Sequence, residues 1–402
     1  MIDKYKFLVF FFFFALASIY KVNSQSREEL IDAIKEANEQ NSNQDLKNYS
    51  EIIDDNTVTD QGLFDVHKVD EKFYFEINDS LLNREFLMVT RIVKMAREIP
   101  LSRHKMSEQV LRWEKFNNKI LLREASYSVF ASDSLPMREA VSNSNFEPII
   151  ASFSVEAINE SKNSLLIDVT ELFERDVKSF GFPQSSRKTY NLSSLDTKLS
   201  FIESIRSFPL NVESRHIKTY RSSNTKNGVV SMVLNNSMIL LPKVPMKRKY
   251  FDQRVGWFTT SQTDYGIDNQ EAETVKYLDR WRLEVRDEDI ENFKNGELVE
   301  PKKPIVYYLD RGTPKKWKKY IKQGIEDWQA AFEEAGFKNA IIAKDPPTKE
   351  EDPDWSPEDI RYSVVRYLAS PSLNANGPHV SDPRSGEIIE SDINWYHNVM
   401  KL

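Results

Sequence analysis

The sequence predicts an α+β protein in which antiparallel, β-rich domains come first and a mixed α/β layer comes last. Two observations carry that prediction. From Leu63 to Val299 apolar residues recur with a period of two and turn formers punctuate the runs, the pattern of half-buried antiparallel strands. From Pro304 the period changes: the apolar strand IVYYLD is followed by a long helical pattern and then by a second strand, NAIIAKD. Strand, amphipathic helix and strand in that order make a βαβ unit with a right-handed crossover.

The bulk numbers narrow the class. The chain has 402 residues, 40% of them hydrophobic and 12% aromatic, which supports two or three domains with their own cores and excludes general disorder. Its formal charge is -7, with 55 Lys plus Arg against 62 Asp plus Glu. No basic stripe dominates, so no nucleic-acid partner is expected.

Residues 1–24 read as a secretory signal peptide. Lys4 and Lys6 form a basic start, FLVFFFFFALASIY is the apolar stretch, and Val22 and Ser24 are small residues suited to the cleavage positions. The apolar run falls short of the ~20 residues that cross a hydrocarbon core, so no integral span is expected after cleavage. The expected location is exported: periplasmic, outer-surface or secreted, in a bacterium. With no cysteine in the chain, disulfides, thiol nucleophiles, thiolate metal sites and a lipoprotein anchor are all excluded.

Residues 25–61 form a polar leader in which REELIDAIKEANEQ places Leu30, Ile31, Ile34 and Ala37 on one narrow helical face. Residues 62–93 read as a small β domain, with KFYFEI and EFLMVTRIV paired across a turn at Asn78 to Ser80. Residues 94–299 read as a larger antiparallel domain. Its strands include QVLRWEKF and KILLREASYSVF joined at Asn117-Asn118, then FEPIIASFSVEAI and SLLIDVTELF, with a helix-like interval at Phe173 to Phe180. SRHIKTYRSS and VVSMVLNNSMILLP meet across Asn227-Gly228, a hairpin signal in which both turn positions take positive φ. In the segment that follows, Tyr250, Trp257, Phe258 and Trp281 are expected to be core and interface residues. The proline-bounded hinge ELVEPKKP then leads into the last layer.

In residues 304–402, Thr313-Pro314 supplies a helix start, with threonine as the cap and proline at the first helical position. Trp317, Ile321, Ile325, Trp328, Phe332 and Ala335 recur at helical spacing, and Gly336 closes the helix. RYSVVRYL and then IIESDINWY read as strands, with Gly386 at the turn before the second. In IIESDINWY, Ile389, Ser391, Ile393 and Trp395 point one way and Glu390, Asp392, Asn394 and Tyr396 the other. A strand so polar on one side is expected at a sheet edge, where an extended peptide could pair.

PIVYYLDRGTPKKWKKYIKQGIEDWQAAFEEAGFKNAI, the RYSVVRY strand and GPHVSDPRSGEIIESDINWYHNVM resemble the run before the catalytic helix in a family of large secreted bacterial zinc-dependent metalloproteases of metzincin type. FDVHKVDEKFYFEINDSLLNREFLMVTRIVK and VGWFTTSQTDYG are similar to that family's β-rich N-terminal domains of unknown function. The resemblance implies that residues 304–402 are the front of a metzincin-like peptidase domain. It also implies that zinc is the full-length cofactor and that a peptide or protein is the substrate. In that family an HExxHxxGxxH motif binds zinc through imidazoles while its glutamate takes a proton from the metal-bound water. This sequence contains no HExxH, so no catalytic or metal residue is carried over. The chain is expected to be inactive alone, as the truncated N-terminal part of the enzyme. By the same resemblance, Glu390, Asp392 and Asn394 are the candidate substrate-binding residues beside the cleft.

The remaining chemistry is sparse. The five histidines are His67, His104, His216, His379 and His397; none forms an i, i+4 pair, and a zinc site from His379 and His397 would lack a third ligand. No serine lies in a G-x-S-x-G setting. The alternative function is a non-catalytic periplasmic or surface module that binds a peptide or protein.

Overall fold

Two antiparallel sheets pack face to face because each turns alternate apolar side chains inward. The computed structural model describes residues 46–94, 96, 105–267, 271–370 and 372–401; the segments expected to be a signal peptide and the helical stretch of the leader lie outside these residues. The small sheet orders its strands Val58–Asp60, Asp65–Val69, Lys72–Asn78, Ser164–Asp168 and Ala157–Asn159. The large sheet runs Leu192–Leu195, Asn211–Ser222, Val229–Leu240, Glu85–Lys94, Lys105–Phe116, Lys119–Ala125 and Ile149–Ser154, with Phe201–Ser207 also pairing to Asn211–Ser222. Phe73, Phe75, Ile77, Leu165 and Ile167 from the small sheet meet Phe86, Met88, Leu111, Trp113 and Ile120 from the large one. The Trp113 ring meets Phe64 and Phe75 edge-on, with centroids 6.1 and 6.2 Å away, a geometry that aromatic quadrupoles favour.

This arrangement corrects one expected pairing. KFYFEI and EFLMVTRIV do not pair with each other: Lys72–Asn78 pairs with Asp65–Val69 and Ser164–Asp168, whereas Glu85–Lys94 sits between Val229–Leu240 and Lys105–Phe116. The chain crosses from one layer to the other between them, so both strands can face the shared core. Residues 62–93 and 94–299 therefore contribute to the same two sheets. The Asn117-Asn118 turn has Asn117 at φ 54°, and at the Asn227-Gly228 turn only Gly228 is at positive φ, 72°. The latter is a longer loop than the two-residue turn, closed by Ser222 N–H donating to the Gly228 carbonyl at 2.9 Å.

A smaller layer follows. Thr259–Asp264 and Glu273–Leu278 form a hairpin, and Val129–Phe130 joins its edge in parallel. The chain from 241 to 258 has no regular structure and straps this layer. Along it Tyr250, Trp257 and Phe258 are exposed, contrary to the expectation of core positions; only Trp281 packs against a core, that of the terminal layer. The cause is anchoring: the strap is held through its backbone and Arg248, so its aromatic side chains are left outside.

The terminal sheet orders Ile341–Lys344, Ile305–Leu309, Ser363–Leu368, Ile393–Tyr396 and Ala375–Asn376, the first four parallel and the last antiparallel. The expected long helix is two, Lys315–Glu326 and Gln329–Glu334, and Gly336 follows at φ 92°. Its first cap is Pro314 without a side-chain bond, not Thr313. Ile321 and Ile325 bury against Ile305, Tyr307, Leu309 and Val365. IIESDINWY is also two strands, Glu387–Ser391 and Ile393–Tyr396, the first paired with His379–Asp382 in its own hairpin. The second is an interior strand, because Ala375–Asn376 occupies the edge position expected for it. The whole fold is β-rich and mostly antiparallel, and none of the described helices is long and apolar enough to cross a membrane.

The outer face of the small sheet holds a saturated carboxylate. Glu76 accepts hydrogen bonds from His67 Nε2 at 3.0 Å, Tyr49 OH at 2.7 Å, Asn159 Nδ2 at 2.9 Å and the Ser164 hydroxyl. Burial alone would raise its pKa, but the bonds from His67, Ser164 and Tyr49 hold it at about 2, below the ordinary 4.5. Folding thus favours the ionised form, so this contribution is fully present above about pH 4.5 and is lost as pH falls toward 2. Urea unfolding between neutral pH and pH 2 is expected to show Glu76→Gln less stable than wild type at neutral pH, with the gap closing across that window. A gap that stays constant with pH would contradict the assignment.

Candidate functional site

The terminal layer meets the back of the large sheet through an apolar patch and, beside it, a buried set of charges. Leu87, Val89, Val110 and Leu241 contact Ile360, Val380 and Ile389. Strand alternation then puts Arg91 on the same face as Leu87 and Val89, and it forms an ion pair with Glu390 in which both side chains are buried. Asp392 accepts from Val364 N–H at 3.0 Å and from Arg366 Nη1 at 3.0 Å. Arg366 also pairs with Glu358, which accepts from Arg215 Nη2 at 3.2 Å. Burial and the neighbouring Asp392 carboxylate push Glu390 well above the usual carboxylate range despite Arg91.

The three candidate substrate residues are therefore internal. Glu390 and Asp392 are held in these ion pairs, and Asn394 donates from Nδ2 to Asn376 Oδ1 at 2.9 Å. The expectation of an exposed polar edge is corrected. Glu390 faces Arg91 of the large sheet, Asp392 and Asn394 are bonded within the terminal layer, and Ile393 and Trp395 are only partly covered. A second buried carboxylate lies nearby: Glu213 accepts from Asn211 and Asn235 at 2.7 Å each and from Ser237 at 2.6 Å. Burial, then the Asp359 carboxylate, push Glu213 up to about 8.

Two concave features flank this interface. The first is an apolar groove of about 380 Å³ between the terminal helices and the sheet, lined by Trp281, Tyr307, Trp328, Val365, Ile393 and Trp395 among others. The second is a cleft of about 630 Å³ where the large sheet, the small hairpin layer and the loop before His379 meet. At its wall His379 Nε2 lies 2.8 Å from Asp279 Oδ2, and Thr260 donates to Asp279 Oδ1 at 2.7 Å. In this pairing the Asp279 carboxylate accepts and His379 Nε2 donates, which fixes the orientation of the ring at the cleft wall. Sequence reasoning missed the pair: its members are 100 residues apart, and no local motif links them. His397 is bonded elsewhere, its Nδ1 lying 2.9 Å from Tyr367 OH. Among the described residues no group of three or more His, Asp or Glu side chains is placed to hold a metal ion. No zinc-dependent step is assigned to the described residues.

Two outcomes are expected at the interface. Arg366→Ala removes the guanidinium shared by the buried Asp392 and Glu358 carboxylates and is expected to cost about 3–5 kcal/mol, read from chemical denaturation. Because the Glu213 pKa is raised from 4.5 to about 8, its contribution is full below pH 4.5 and is lost as pH rises through 8. Stability is thus expected to fall across that window in wild type and to fall less in Glu213→Gln, as measured by urea midpoints; identical pH profiles would contradict this.

Comparison with known families finds two matches. A family model described as a domain of unknown function (DUF5118) matches residues 46–95, and a second, also described as a domain of unknown function (DUF5117), matches residues 104–286. No curated protein and no solved structure matches the chain. The two matched segments share both sheets of the sandwich, since Lys72–Asn78 pairs with Ser164–Asp168 and Glu85–Lys94 pairs with Lys105–Phe116.

Proposed function

We propose that this chain is the N-terminal portion of an exported zinc-dependent metalloendopeptidase, with residues 304–402 forming the front of its peptidase domain. The observation that carries the reading is the apolar groove beside Lys315–Glu326. One pair of helices covers part of a mixed, mostly parallel sheet, while Ile393, Trp395 and Trp281 remain at a groove open to a further apolar element. A sheet buries its apolar face against another layer, and an amphipathic helix has the shape to complete this one. In the family that the sequence resembles, such a helix carries HExxH, whose zinc supplies an activated water for peptide hydrolysis. The β-rich sandwich then serves as the platform on which that domain is mounted.

The test is to read the coding sequence beyond Leu402 and to produce the extended chain. The expected result is an HExxH motif, one zinc per chain by elemental analysis, and casein hydrolysis that stops with 1,10-phenanthroline. An extended frame without the motif, or an extended protein with neither zinc nor hydrolysis, would overturn the proposal. A second reading, a non-catalytic peptide-binding module, draws on the 630 Å³ cleft; a stop codon at that point together with peptide binding to this chain would favour it.

A further inference from the structure

The cleft of about 630 Å³ opens where two segments that begin as neighbours part company. Val129–Phe130 runs parallel to Thr259–Asp264, but the pairing covers only Thr263 and Asp264. Thr263 N–H donates to the Ser128 carbonyl at 2.8 Å and Tyr265 N–H to that of Phe130 at 2.9 Å. Toward Thr259 the pairing stops, and residues 125–128 and 259–261 both line the cleft.

Strand register fixes which way the peptide groups of Thr259–Asp264 point. In an antiparallel pair, residues that exchange both backbone bonds with the partner alternate with residues whose N–H and C=O turn away from it. Thr259 stands opposite Leu278, and at the next pair outward Asp279 N–H donates to the Phe258 carbonyl at 3.0 Å. Thr260 and Gln262 therefore bond to Glu273–Leu278, whereas Thr259, Ser261 and Thr263 face away from it. Thr263 meets Ser128, but the N–H and C=O groups of Thr259 and Ser261 face the cleft without a backbone partner among the described residues. An uncovered strand edge in a concave site is a template for another strand.

The walls beside this edge are held in place. Phe258, 74% exposed, packs its ring on that of His379 with centroids 5.4 Å apart. The chain leading to it is tied back by Arg280 Nη2, which donates to the Lys247 carbonyl at 2.7 Å, and by Leu278 N–H, which donates to that of Lys249 at 2.8 Å. Lys105 Nζ donates to the His379 carbonyl at 2.8 Å and to Glu108 at 2.9 Å. The lining is acidic on balance: Glu108, Glu124 and Asp279 stand against Lys105, with His379 bonded to Asp279.

We propose that this cleft binds an extended basic peptide as an added strand, its backbone bonding to Thr259 and Ser261 and its lysine or arginine side chains drawn toward Glu108 and Glu124. In strand addition the main-chain bonds give affinity and the side chains beside the edge give selectivity. The volume falls in the range of ligand sites, about 300–1,000 Å³. The inference rests on the second reading, a peptide-binding module, and gives it a site and a mode. It is separate from the terminal groove and does not depend on the peptidase reading.

The probe is a synthetic hexapeptide library of all residues but cysteine, screened against the full chain. The expected result is selection of peptides rich in lysine or arginine that bind one per chain by calorimetry. Within a selected peptide, N-methylation is expected to raise Kd by about tenfold at every second residue and little at those between, because only alternate N–H groups of a strand face one partner. Ser261→Pro removes a cleft-facing N–H and breaks no bond to Glu273–Leu278, so it is expected to raise Kd roughly tenfold at unchanged Tm. Should that variant fail to fold, the N-methyl series on the wild-type chain decides. Glu124→Gln is expected to weaken binding about threefold. Selected peptides indifferent to N-methylation would overturn strand addition while keeping a peptide module; acidic peptides would overturn the charge assignment, and no selected peptide would overturn both the inference and the module.

Discussion

The placement of the terminal layer rests on the buried chain of ionisable groups from Arg91 through Glu390, Asp392 and Arg366 to Glu358. Each of these groups would be costly to bury by itself, and a guanidinium or carboxylate left without its partner in the interior is strongly destabilising. The set is tolerable only when all its members are in register, so it acts as a gauge of geometry more than as a source of net stability. Apolar contact at Leu87, Val89 and Ile360 favours association of the two layers, but such contact is non-directional. The ion pairs are what select one orientation, and that orientation turns the polar side of Ile393–Tyr396 inward and its apolar side toward the groove.

The sandwich in front of this interface is one unit despite its two family matches. Lys72–Asn78 and Glu85–Lys94, from residues 46–95, are interior to sheets completed by residues 105–240, so neither matched segment could satisfy its backbone hydrogen bonds or cover its aromatic core alone. Trp113, Phe75 and Phe64 meet in that shared core and come from both segments. The large sheet thus has two occupied faces: one closes the sandwich and the other receives the terminal layer.

Local pattern made part of this legible in the sequence. The period of two gave the strands of the large sheet, and the switch to helical spacing after IVYYLD gave the strand–helix–strand order of the terminal layer. What local pattern could not give was the partner of each strand. KFYFEI and EFLMVTRIV are neighbours in sequence yet belong to opposite layers, because the chain between them crosses the core and does not turn back. IIESDINWY alternates cleanly, but alternation does not say which face is buried; its charges read as solvated, whereas Arg91, 299 residues from Glu390, makes them internal. The aromatics at 250 to 258 read as core for the converse reason, since only the backbone anchors to Arg280, Leu278 and Asp279 leave them outside. His379 and Asp279 were invisible as a pair because their closeness is a product of tertiary packing alone.

Native-state hydrogen exchange on wild type and Arg91→Ala tests the ion-pair account most directly. If the charge chain holds the layers in register, the amides of Ser363–Leu368 and Ile393–Tyr396 are protected to nearly the same extent as those of Glu85–Lys94 in wild type. Arg91→Ala then lowers protection across the terminal strands while the Trp113 side of the sandwich keeps its own. Terminal strands that exchange rapidly in wild type, or whose protection is indifferent to Arg91, would contradict it.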